Sequence, residues 1–285
     1  MKITISRVSN HSAAEGSLRQ TLAAYDAEAL QHISRIFWWL AERLGNQTPS
    51  EYLLRQSPLA SRLDHLDRTD DIKSRIREYV EQHRQNAQLD YGLTTVFTYF
   101  DRAYFYRNFL KCLIGGHYLG VALSFDELPQ RVIDLGSGVG TFALACKLLH
   151  IFPDADFLLV DKHRFQLELA QGLMARLELS GFEVLRADVF SAFGKQGFLI
   201  ASYWLCGNRR DVLERPISEL RSILKHGLAL IDYRSNLDEF VGKIMLLRPR
   251  LHLLEIRAPL PHDMSKLVGS RDLNVHMLIV EPLQS

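Results

Sequence analysis

The stretch Arg131-Val-Ile-Asp-Leu-Gly-Ser-Gly-Val-Gly-Thr-Phe-Ala-Leu-Ala145 sets three glycines within five residues, between two apolar runs. The run before them, RVIDL, reads as a strand buried on both faces, and the run after, TFALACKLLHIF, spaces its apolar residues as a helix does. A strand that passes through bare glycines into a helix leaves backbone amides unshielded at the helix N-terminus, where a ligand can come close. The fold of the chain is decided by whether the flanking sequence continues this strand–helix alternation.

Downstream it does. The β-rich runs DFLLVD, FEVLRAD, GFLIASYW and GLALIDY alternate with amphipathic segments such as RFQLELAQGLMARLELSG. Continuous apolar strands separated by helices predict a mostly parallel sheet covered on both faces. The tail differs, since RLHLLEIRAPL and NVHMLIVEPL read as two strands joined by a loop, an antiparallel hairpin at one sheet edge.

Upstream the period is helical. Helices are expected from Ser17 to the break at Gly45, and from Thr48, which forms a capping box with Glu51 while Pro49 takes the first helical position. Others are expected through TDDIKSRIREYVEQHRQ and through TTVFTYFDRAYFYRNFLKCLIGGHYLG. Residues 1–128 therefore read as an all-α lid unit and 129–285 as an α/β unit, joined near SFDELPQ. The aromatic helix holds Tyr91, Phe97, Tyr99, Phe100, Tyr104, Phe105, Tyr106 and Phe109 within 19 residues, so most of it must be core.

Composition narrows the partners. The 34 basic and 33 acidic side chains leave a formal charge of +1, and the first 130 residues carry 15 of each. Neither half is a basic module, and the spots at 162–164, 209–210 and 248–250 are scattered, which argues against nucleic acid. Three dispersed cysteines, Cys112, Cys146 and Cys206, suggest a reducing compartment and no metal site. The absence of a signal-like N-terminus and of any long apolar run points to a cytoplasmic protein with no membrane partner.

The dinucleotide fingerprint, G-x-G-x-x-G, places its third glycine three positions after the second. Here Gly136, Gly138 and Gly140 alternate, Thr141 stands where that glycine would be, and Asp134 closes the strand. A carboxylate beside a pyrophosphate is unfavourable, whereas beside an ammonium or sulfonium it is attractive. That argues against NAD.

VIDLGSGVGT resembles motif I, the Asp/Glu-x-Gly-x-Gly-x-Gly signature of class I S-adenosylmethionine-dependent methyltransferases. The resemblance covers roughly residues 130–285 and implies a seven-stranded, mostly parallel sheet with a terminal antiparallel hairpin. It implies S-adenosylmethionine as cofactor, with Asp134 and the three glycines beneath it. Asp161, 21 residues after Gly140, matches the acid that takes both ribose hydroxyls, with Lys162 beside it. Asp188 matches the acid that meets the adenine amino group, and Val189 supplies the neighbouring amide. Some family members hold the methionine carboxylate from the preceding helix, which makes Tyr104 and Arg107 candidates. Where amino-group methyltransferases carry Asn/Asp-Pro-Pro-aromatic, this chain reads IASYWLCGNRRD, so adenine- or glutamine-type amide methylation is not expected.

Tyr203, Trp204 and Asn208 emerge where such folds receive the acceptor, Tyr203 as a catalytic candidate and the other two as substrate contacts. His117 and Asp232 are candidate bases. The expected activity is in-line methyl transfer to a small-molecule or peptide-like metabolite, with the acceptor atom (oxygen, nitrogen or carbon) open. RNA methylation, and 3-amino-3-carboxypropyl transfer from the same cofactor, are the alternatives.

Overall fold

The computed structural model describes residues 2–8, 26–47, 102–123, 129–192 and 195–283. The helices expected within 48–101 and most of the joint lie outside the described residues.

The three-glycine turn does join a strand to a helix. Strand β2 (Arg131–Leu135) leads into α3 (Thr141–Leu148), followed by β3 (Asp156–Asp161), α4 (Arg164–Arg176), β4 (Phe182–Arg186) and β5 (Phe198–Ser202). Then come α5 (Trp204–Glu214), α6 (Ile217–Leu224), β6 (Leu228–Ile231), α7 (Arg234–Ile244), β7 (Leu251–Pro259), α8 (His262–Val268) and β8 (Asp272–Val280). Ahead of these lie β1 (Lys2–Val8), α1 (Asp26–Arg43) and α2 (Arg102–Ala122).

Among the described residues, eight strands form one sheet in the order β1-β7-β8-β6-β5-β2-β3-β4. β2 pairs in parallel with both β3 and β5, with Val132 opposite Phe157 and Phe198. The strand order therefore turns at β2, and in open α/β sheets the crevice at that turn, beyond the strands' carboxyl ends, is where ligands bind. β8 enters antiparallel between β6 and β7, the sheet arrangement that the resemblance of the glycine turn implied.

Two expectations need correction. Residues 1–128 are not all helical, because β1 pairs antiparallel with β7, Lys2 opposite Arg257 and Val8 opposite His252. The terminal hairpin consequently does not sit at the edge, and its connection contains α8 rather than loop alone. KITISRV alternates with the period of a strand, but a single short run has no visible partner until β7 is placed beside it.

Alternate residues of β2 serve opposite faces. Val132 joins the core under α1 to α4 and α8, whereas Ile133 and Leu135 join the core under α5 to α7. α2 is buried nearly all round, through Phe105, Tyr106, Phe109, Leu113, Ile114 and Tyr118. Its backbone lies close on the sheet, since a Cβ at Gly115 would stand 2.6 Å from Ile231 Cδ1. α1 ends where Gly45 adopts φ 59° and the Asn46 amide donates to the Ala41 carbonyl, satisfying carbonyls left open at the helix end.

Candidate functional site

The turn after β2 requires glycine for separate reasons at its two ends. Gly136, Gly138 and Gly140 have φ of 61°, 56° and 73°, the left-handed region that side chains disfavour. A Cβ at Gly140 would also lie 3.0 Å from Leu159 Cδ1 and 3.2 Å from Met174 Cε, so the third glycine lets β3 and α4 close on the turn. Gly136 lies beneath Trp204, whose Cδ1 would be 3.3 Å from an added Cβ. The Ser137 amide donates to the Val160 carbonyl, which ties the turn to β3.

Two acids flank this turn. Asp161, buried at the end of β3, accepts from the Gly138 amide at 3.0 Å and from the His163 amide at 2.8 Å. Each carboxylate oxygen has a second acceptor position, which leaves room for a pair of hydroxyl donors. Asp134 is 1% exposed, and its Oδ2 accepts from the Ala143 amide of α3 at 3.2 Å. Its Oδ1 is buried with no hydrogen-bond partner. Burial pushes the Asp134 carboxyl up to about 8, opposed by the Ala143 amide and reinforced by the charge of Asp161. A buried acceptor without a donor beside a bare turn suits a ligand that brings a cationic or donor group. These residues fit S-adenosylmethionine, whose ammonium and sulfonium are such groups.

The other sequence candidates separate by location. Asp188 is exposed after β4, its Oδ1 accepting from the Phe190 amide at 2.9 Å, and Val189 beside it is buried. Lys162 is exposed at the same edge, where its carbonyl accepts from Arg186 Nε at 3.3 Å. Arg107 donates through Nε to the Val268 carbonyl at 3.1 Å, at the C-terminal end of α8. The Tyr104 side chain lies outside the described residues. His117 is half-buried on α2 and meets Tyr118 edge-on at 5.2 Å. Asn208 donates to the Trp204 carbonyl at 2.9 Å within α5, a local helix bond.

Asp232 takes a different part from that of a base. Its Oδ2 accepts from the Leu205 amide at 2.9 Å, and its Oδ1 from the Tyr233 amide at 2.8 Å and Asn236 Nδ2 at 2.7 Å. Buried and so engaged, this carboxylate fixes the starts of α5 and α7 to the end of β6.

Tyr203 stands between β5 and α5 with φ 56°, an uncommon backbone state for an aromatic residue. Its amide donates to the Ile231 carbonyl at 2.7 Å, and its ring meets Tyr233 edge-on at 5.5 Å. Its hydroxyl accepts from Lys111 Nζ at 2.8 Å. Sequence reasoning singled out Tyr203 but passed over Lys111 and Tyr233. A lysine embedded in the most aromatic helix of the chain was the available signal. Burial, then the neighbouring Arg107, pushes the Lys111 ammonium below the ordinary lysine range, with Cys112 opposing.

No family model matches the chain. Among curated relatives, the release factor glutamine methyltransferase of Escherichia coli is 38% identical over 72 residues, which cover 25% of each chain. The ribosomal RNA small subunit methyltransferase G of Borrelia turicatae is 24% identical over 144 residues, 50% of this chain and 66% of that one. The chain thus spans a quarter of the first relative's length and less than two thirds of the second's. Among solved structures, a plantazolicin methyltransferase in complex with SAH aligns with TM-score 0.42 and 13% identity, over 74% of this chain and 98% of that one. A SAM-dependent O-methyltransferase of Thermotoga maritima aligns with TM-score 0.40 and 15% identity, over 60% and 65%.

Proposed function

We infer that this chain, folded on a class I methyltransferase sheet, is an S-adenosylmethionine-dependent methyltransferase. The observation that carries the reading is the buried Asp134 carboxyl, one oxygen without a donor, at the rim of a three-glycine turn on the carboxyl end of β2.

S-adenosylmethionine supplies a methyl group already activated on a sulfonium. The chain's own part is binding and alignment. Asp134 faces the cationic methionine end, Asp161 accepts the ribose hydroxyls, and Asp188 with the Val189 amide meets the adenine edge. Lys162 lines the exposed side of the adenosine. The glycines let the backbone pass close beneath the donor. Tyr203, projecting from the end of β5 next to Trp204 over Gly136, contacts the acceptor. Helix α2 contributes to the acceptor side of that pocket, with His117 among its residues there, and Tyr104 is a candidate contact to the methionine end.

The acceptor is proposed to be a small molecule or a peptide-like metabolite, supported by a narrow cluster of Tyr203, Tyr233 and Lys111 rather than a broad basic surface. A second reading has support of its own. A relative named for ribosomal RNA aligns over half the chain, and Lys162 and Arg186 are exposed beside the adenosine edge. The balanced overall charge therefore does not exclude RNA.

Calorimetric titration tests the first step. S-adenosylmethionine should bind wild type, NAD should not, and Asp161→Ala should weaken the methyl donor by about tenfold or more, from two lost bonds to a charged acceptor. Tight NAD binding, or methyl-donor affinity unchanged in Asp161→Ala, would overturn the reading. Binding to ribosomal RNA that falls steeply with salt would transfer the acceptor to RNA.

A further inference from the structure

We propose that the methyl acceptor is a planar oxyacid, a phenol or an aromatic carboxylic acid, whose anionic oxygen is received by Lys111 and the Tyr203 hydroxyl and whose body lies against Tyr233. This rests on the methyltransferase reading and deepens it by naming the acceptor's chemical class.

Lys111 is half-buried on α2, and its hydrogen bond goes to the Tyr203 phenol oxygen. Among the described residues no carboxylate pairs with it, and the charged neighbour acting most strongly on it is Arg107, another cation. A partly desolvated ammonium facing a phenol and a guanidinium lacks a counter-charge, and an incoming anion supplies one. Its place is the relevant one. The next residue, Cys112, lies within reach of Ser202 at the end of β5 and of Asp134. Tyr203 leads directly into Trp204, which covers Gly136 of the donor turn.

The walls carry the same message. Tyr233 is 58% exposed, a large aromatic surface presented to solvent beside Tyr203. On the adjoining strands, His276 of β8 is half-buried and held below the ordinary histidine range, first by burial, so it is a neutral polar wall at neutral pH. The acids nearest that wall have other partners. Glu255 of β7 lies 3.7 Å from Arg234, and Asp238 of α7 accepts from Arg234 at 2.9 Å. Lys111 is thus the cation left for a substrate anion.

The step balances without a further reagent. A carboxylate arrives ionised, whereas a phenol gives its proton to solvent as it settles beside Lys111. The oxygen–methyl bond forms as the sulfur–methyl bond breaks, and the electron pair returns to sulfur. The anion and the sulfonium both end neutral. Lys111 is here a binding residue, and Tyr203 orients the oxygen.

The test measures binding of benzoate, 4-nitrophenol above its own pKa, and uncharged benzamide to the full chain saturated with S-adenosylhomocysteine. Benzoate and the phenolate should bind at least about tenfold tighter than benzamide. Lys111→Met should abolish that difference, Lys111→Arg should keep most of it, and Tyr233→Ala should weaken all three probes alike. S-adenosylhomocysteine affinity should be the same in all variants, which shows that they fold. Equal binding of benzamide and benzoate, unchanged benzoate affinity in Lys111→Met, or no binding of any probe would overturn the proposal. Absence of S-adenosylhomocysteine binding would instead strike the methyltransferase reading, and the anion preference of wild type is then still measured on its own.

Discussion

At Asp134 a single carboxyl links the donor site to pH. It holds its proton up to about 8 in the folded protein, against an ordinary value of 3.8. Between those values the folded chain binds more protons than the unfolded one, so this group's contribution to stability falls as pH rises from about 4 to about 8 and is level above that. A cationic ligand reverses the preference and expels the proton. Titration of S-adenosylmethionine at pH 7 in buffers of differing ionisation heat should therefore report release of close to one proton. Asp134→Asn should bind the donor more weakly with no proton release. Its unliganded form should lose less stability than wild type between pH 5 and 8, a comparison that urea melts make directly.

How far single residues were legible depended on whether their role is local in the chain. The place of Asp161 at the end of β3 was readable because the distance from turn to strand end is fixed by one strand–helix–strand unit. The bond from Arg107 to the Val268 carbonyl was not, because the two lie 161 residues apart and nothing in the sequence says which way that helix face points. Asp232 looked like a base because it ends a strand, yet the amides of α5 and α7 claim it. Lys111 escaped for the converse reason, since its meaning comes from Tyr203 on another element.

Among the elements, glycine substitutions separate turn geometry from packing. Gly242 in α7 has nothing within 4 Å of an added Cβ, so Gly242→Ala should stabilise the protein by about 0.5–1 kcal/mol through helix propensity. Gly140→Ala combines a left-handed φ with contacts to Leu159 and Met174 and should cost about 1–3 kcal/mol. Gly115→Ala lies between. Its added methyl gains helix propensity but displaces Ile231 Cδ1, the mobile end of a side chain, so the net cost should be about 1 kcal/mol. Urea unfolding of the three variants checks the ranking, and a destabilised Gly242→Ala would refute it. The strand–helix alternation from β2 to β6 was legible because β2, β3, β5 and β6 are short, nearly continuous apolar runs. α8 was not, since seven residues between two strands read equally well as loop.

For the whole molecule, β1 shields the open side of β7. Removing residues 1–8 should bare that row of amides and carbonyls, lower the melting temperature and raise the average mass seen by light scattering at equal concentration. An unchanged mass and melt would mean that the edge needs no cover. The seven-stranded core was foreseeable from the resemblance of its glycine turn, but the eighth strand had no such guide.

That same pairing has a temporal side. The partners of β1 lie between His252 and Arg257, and β7 itself docks on β8, which follows it in the chain. As the chain leaves the ribosome, β1 must wait for its partners on β7, made long after it, before it finds its place. The parallel strands around β2 have their partners sooner and can assemble first. The donor turn thus belongs to the early half of folding, and the sheet's outer edge to its closing moment.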